Sequence, residues 1–151
     1  MELGVLLDLR NPDQWQRPWV EHYQRTLERV ERIEAWGAGS VWLTEHHFFP
    51  DGYLPQPLVF AAAIAARTTR IRIGTAVVVA ALRHPTHLAE EAAVVDILSG
   101  GRLELGLGAG WSSPSTRPSA LTSTASSRSR LVRLSWPQTR RPTVDQALAR
   151  S

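Results

Sequence analysis

Residues 41–48 read Val-Trp-Leu-Thr-Glu-His-His-Phe. Val41, Trp42 and Leu43 form a short apolar run preceded by Gly39 and Ser40, which predicts a buried strand rather than the start of a helix. The strand runs directly into Thr44, Glu45, His46 and His47, so its last residues are ionisable. Packing of such a strand holds those groups at one end of a sheet. In parallel α/β sheets and barrels that end, the C-terminal edge, is where sites are built. His46 is the first candidate for chemistry.

The flanks repeat the pattern. Residues 2–9 are nearly continuous in apolar side chains, as suits a strand covered on both faces, and the Arg10-Asn11-Pro12-Asp13 sequence ends it. After Pro18, apolar residues recur at Val20, Tyr23, Leu27, Val30 and Ile33 with Glu and Arg opposite, predicting an amphipathic helix that stops near Trp36 and Gly37. Residues 48–57 form a loop rich in Pro, Gly and Asp, and residues 58–67 an Ala-rich helix. Residues 70–79 read as a third strand. His84-Pro85 opens a third helix whose inner face is Leu88, Ala92, Val95 and Leu98, closed by Gly100-Gly101. Residues 102–108 make a fourth strand with a Gly-rich ending that continues through Ala109 to Gly110. Strand and helix alternate in this way in a parallel sheet.

The pattern stops there. Residues 112–135 are rich in Ser, Thr, Pro and Arg and contain no acidic residue, a composition expected of a poorly ordered tail. Residues 131–136 are expected to make at most a brief strand or helical turn, and residues 144–149 a short helix. The charge divides at the same place: residues 1–111 carry ten Arg against thirteen acidic side chains, and residues 112–151 seven Arg against Asp145 alone. The net charge of +3 therefore belongs to the tail. No Lys is present, and the abrupt shift in composition matches a change of reading frame in a GC-rich gene. The expected division is a folded unit at 1–111 and a tail at 112–151.

At 151 residues the chain is too short for a whole eight-unit barrel, which takes ~250 residues. A hydrophobic content of 43% with six Trp excludes a wholly disordered chain. Without Cys there are neither disulfides nor thiolate metal sites. No apolar run approaches the ~20 residues of a membrane helix, and no secretory pattern opens the chain, so a soluble, cytoplasmic protein is expected.

Four motifs in register carry a resemblance: residues 41–48; Ile73-Gly74-Thr75-Ala76-Val77; His84-Pro85; and Asp96-Ile97-Leu98-Ser99-Gly100-Gly101-Arg102 running into Gly106-Leu107-Gly108. Residues 2–111 resemble the bacterial luciferase-like family of flavin-dependent monooxygenases and oxidoreductases. The resemblance implies an α/β fold that is part of a (β/α)8 TIM barrel, about four units with parallel strands. It implies FMN or a deazaflavin coenzyme at the C-terminal ends of the strands, a small-molecule substrate, and often a homo- or hetero-dimer packed through the early helices. His46 is implied to face the reactive edge of the flavin, where an imidazole with an ordinary pKa near ~6.5 gives or takes a proton at neutral pH. Ala76 and Val77 match a position where family members carry a non-proline cis peptide beneath the flavin ring, and Gly108 and Gly110 would let that ring approach backbone. Later units of the family supply most of the phosphate-binding groups, so this chain alone is expected to bind flavin weakly and to be impaired as an enzyme. Its first and fourth strands are expected to be open edges.

Other readings differ in class. His46, His47, His84 and His87 could gather as metal ligands, although no His-Glu signature accompanies them. A non-catalytic half-barrel could dimerise, or dock on a complete flavoprotein subunit, through residues 61–66. The Arg-rich tail lacks the interleaved aromatics of a nucleic-acid binder apart from Trp136, and a solvated charged tail accounts for it better. No membrane association and no metal are expected.

Overall fold

The structure is a computed structural model that describes residues 3–110 and the strand at 129–132. The rest of the 112–151 segment, with the helix expected at 144–149, lies outside the described residues. Strands β1 (Gly4–Leu7), β2 (Ser40–Leu43), β3 (Arg72–Thr75), β4 (Val78–Val79), β5 (Leu103–Gly108) and β6 (Ser129–Val132) alternate with helices α1 (Trp19–Ala35), α2 (Pro57–Arg67) and α3 (Pro85–Ser99). β1, β2, β3 and β5 lie side by side and parallel, with Val5 opposite Val41, Val41 opposite Ile73, and Ile73 opposite Leu103. The expected α/β arrangement of four parallel units is present.

Register explains which face is sealed. Val41, Ile73 and Leu103 form one row, at most 2% exposed, and pack in the same core as Val30, Ile33, Ile64, Ala61 and Val95 of the helices. The alternate row is Leu6, Trp42, Gly74 and Glu104. It carries no helix layer, and Leu6 is 62% exposed. Strand pleating sends successive residues to opposite faces, so helices on one side alone produce this contrast.

Arg102 fixes the end of α2 to the start of β5. Its guanidinium donates to Ala65 O and Thr68 O, carbonyls that the helix end leaves without partners, and to Ile71 O just before β3, all at 2.9–3.1 Å. Glu34, at the end of α1, accepts from the backbone N–H groups of Thr69, Arg70 and Ile71 and so holds the α2–β3 turn.

Four expectations are corrected. Residues 70–79 are two strands, because the Ala76–Val77 peptide is cis and lies between β3 and β4. β4 continues along the same side of β5, with Val79 opposite Gly108. The outer edge of the fourth strand is not open: β6 pairs antiparallel with β5, with Leu105 opposite Val132. Val20 and Leu98, assigned to inner helix faces, are 72% and 56% exposed. The buried stripe of α1 is instead His22, Thr26, Val30 and Ile33, and that of α3 runs from Leu88 to Ser99. Hydrogen bonds explain the polar members: His22 Nε2 lies 3.2 Å from Leu9 O, the Thr26 hydroxyl donates to His22 O, and the Ser99 hydroxyl to Asp96 O.

Candidate functional site

Four chain segments meet at the C-terminal edge of the sheet. The Thr44 amide donates to Leu7 O, the His46 amide to Leu54 O, the Leu54 amide to Asp8 O, and the Ala76 amide to Leu43 O at 2.6 Å. The ends of β1, β2 and β3 and the 48–55 loop are therefore tied together by backbone. His46 has its ring centroid 4.4 Å from that of Tyr53 and 5.6 Å from that of Phe49. Burial pushes its pKa below the ordinary histidine value, and the adjacent His47 adds to this, while the Glu45 and Asp8 carboxylates oppose it. The imidazole is thus neutral at pH 7 and able to accept a proton.

Glu45 is the residue that sequence reasoning passed over. Its side chain is fully buried, with Oε1 2.8 Å from His47 Nε2 and Oε2 accepting from the Val79 amide at 3.1 Å. Arg83 Nη2 stands 3.5 Å from the same Oε2, and its guanidinium also reaches Glu91 and Gln56. A buried carboxylate needs such partners, and these connect the end of β2 to β4 and to the approach to α3. Strand parity was the available signal, because Glu45 is in phase with the buried Val41 and Leu43.

The other candidates lie on the far side of β2 from β1. Ala76 and Val77 form the cis peptide between β3 and β4, and Gly108 pairs with Val79. Gly110 has φ +80°, and a Cβ there would meet Val79 Cγ1 at 2.6 Å, so local packing alone already requires glycine. His46 instead lines a recess of about 410 Å³ with Trp19, Tyr23, Phe49 and Tyr53; Ala76, Val77, Gly108 and Gly110 do not line it. The Thr44 hydroxyl at this edge is buried and has no hydrogen-bond partner among the described residues. His84 and His87 face each other at 5.5 Å at the start of α3. Among the described residues no three His, Asp or Glu side chains are grouped as metal ligands, and no helix is long and apolar enough to cross a membrane.

Comparison with known proteins identifies relatives of this chain in sequence and in fold. The 4-hydroxyprotoasukamycin monooxygenase of Streptomyces nodosus subsp. asukaensis is 43% identical over 86 residues, which are 57% of this chain and 23% of that protein. The structure of the monooxygenase RslO1 from Streptomyces bottropensis superimposes with a TM-score of 0.66 at 35% identity, covering 72% of this chain and 33% of that one. The oxygenating constituent of 3,6-diketocamphane monooxygenase from Pseudomonas putida, solved in complex with FMN, gives a TM-score of 0.67 at 23% identity, over 74% of this chain and 30% of that one, a likeness of fold. The chain thus spans between a quarter and a third of the length of most of the relatives it matches. The model of the luciferase-like monooxygenase family matches residues 1–132, past the four motifs and through β6, and the chain belongs to that family.

Proposed function

We propose that this chain provides the first half of a flavin site for an oxidoreductase of the monooxygenase type acting on a small organic substrate. The family match across residues 1–132, which contains the Glu-His-His-Phe motif, carries this reading. FMN or a deazaflavin is the cofactor, and FMN is present in a solved structure of the same fold. Two features at the sheet edge suit such a group. The Thr44 hydroxyl is buried without a hydrogen-bond partner among the described residues, and the left-handed Gly110 carries no side chain of its own beside Val79.

The flavin, when bound, supplies the redox chemistry. His46 takes up or returns a proton at a ring nitrogen, its neutral form favoured by burial. Ala76, Val77, Gly108 and Gly110 would hold the flavin, and Glu45 keeps the end of β2 and β4 in place through its bond to the Val79 amide. The main folded unit is read as 1–111, with the 112–151 segment following it and returning only β6 to the sheet among the described residues, and the location as the cytoplasm. Weak flavin affinity follows, because the family's phosphate-binding groups come from later units.

A second reading, a non-catalytic half-barrel that pairs with another subunit, draws support from Val59, Val94 and Ile97 on the outer faces of α2 and α3, each more than half exposed. Titration of the purified chain with FMN and with a deazaflavin, followed by flavin fluorescence, separates the two. Binding that survives His46→Ala while turnover is lost supports the flavin site. Dimerisation without binding of either cofactor overturns it.

A further inference from the structure

We infer that the recess beside His46 binds an uncharged, planar aromatic molecule and forms the substrate side of the site. That it is the substrate side rests on the flavin reading; the class of ligand rests on the recess itself. Its walls come from two places, the first turns of α1, with Trp19 and Tyr23, and the 48–55 loop, with Phe49 and Tyr53. The positions assigned to the cofactor come from β3, β4 and β5. β2, whose end leads into His46, pairs with β3, at whose end the Ala76–Val77 peptide lies. His46 lines this recess, and on the flavin reading the same imidazole would serve the cofactor.

The rings of the recess meet edge to face. Tyr53 and Phe49 are 5.0 Å apart at 65°, His46 and Tyr53 4.4 Å apart at 60°, and Trp19 and Tyr23 6.4 Å apart at 68°. Crossed rings offer alternating electron-rich faces and electron-poor edges, which another ring complements and a saturated chain does not. Trp19 is 43% exposed and Phe49 37%, so a guest has aromatic surface to cover. The volume of about 410 Å³ is in the range of small-molecule sites. Gly52 sets one wall: its φ is +74°, and a Cβ there would meet Trp19 Cη2 at 2.1 Å.

Charge narrows the class. Among the described residues no carboxylate or Arg lines the recess. Arg10, 5.2 Å from the Tyr53 centroid, already donates to Asp51 at 2.6 Å. His46 is kept neutral by burial. A carboxylate entering here would lose water without gaining a free counter-charge, whereas a neutral ring would not.

The test uses the full chain without cofactor and follows its intrinsic fluorescence while 2-naphthol, 2-naphthoate or 1-decanol is added. The expected result is that 2-naphthol binds at least tenfold more tightly than either of the others. Trp19→Ala, at a half-exposed position compatible with folding, should weaken 2-naphthol at least fivefold, and added FMN should leave its affinity within twofold. Equal or tighter binding of 1-decanol or 2-naphthoate overturns the inference, as does an unchanged affinity in Trp19→Ala or displacement of 2-naphthol by FMN. If 2-naphthol binds and neither flavin does, the flavin reading falls and the ligand class stands. If flavin binds and 2-naphthol does not, the recess inference alone falls.

Discussion

The two faces of one sheet in this protein differ in what they are built to do. On the helix side Val41, Ile73 and Leu103 lie in a sealed row, and the chain closes over them with α1, α2 and α3. On the other side Leu6, Trp42 and Gly74 have no such layer, while beyond the strand ends lie His46 and its recess, walled in part by Trp19 and Tyr23 of α1. Burial of the first row supplies cohesion. The second row is left for contacts that the fold itself does not need.

Mutations can break or sharpen that contrast. Ile73→Ala removes a fully buried side chain from the sealed row and should cost ~2–5 kcal/mol in chemical denaturation, the largest effect expected here. A loss below ~1 kcal/mol would mean that this face is not the core. Glu45→Ala leaves the Val79 amide and Arg83 without their buried partner and should cost ~1–3 kcal/mol by the same measurement. Glu34→Gln should cost ~1 kcal/mol at neutral pH, because a neutral amide accepts less strongly from Thr69, Arg70 and Ile71.

Glu34 and His46 also make opposite use of burial. Partial burial would raise the Glu34 pKa, but the three backbone N–H groups outweigh it and hold the carboxyl below its ordinary value of 4.5. A depressed folded pKa means that the contribution of Glu34 is complete above the unfolded value and is lost as pH falls through the folded one. The acid limb of a stability–pH curve should therefore flatten in Glu34→Gln. His46 is depressed as well, here because burial disfavours the cation, so acidification below about 6.5 destabilises the fold until the folded pKa is passed. An NMR titration should place its midpoint below 6.5. Glu45→Gln should lower it further, since the carboxylate that favours the imidazolium is gone. The smallest effect is expected at Leu6→Ala, within ~0.5 kcal/mol of wild type in the same denaturation assay, because the side chain is mostly exposed.

The sealed face was legible in the sequence. Apolar runs at 2–9, 41–43 and 102–108 and the amphipathic spacing of α1 each specify one element, and together they specify the parallel sheet. His46 was legible in place because a buried strand runs straight into it. The break at Ala76–Val77 was not, since Ala-Val-Val-Val reads as uninterrupted strand and only the resemblance pointed to it. Leu98 misled because α3 is apolar on nearly every side, which leaves periodicity without contrast. The recess was invisible for another reason: positions 19, 23, 49 and 53 converge only through the path of a loop in which Phe48 and Gly52 both adopt left-handed backbone.

The antiparallel pairing of β6 with β5 has a consequence for growth of the sheet. Any further strand arriving to continue the parallel series would have to use the backbone groups that β6 already engages. Completion of a barrel on this template, by added chain or by another molecule, is therefore an exchange reaction, in which the incoming strand must first evict the resident one.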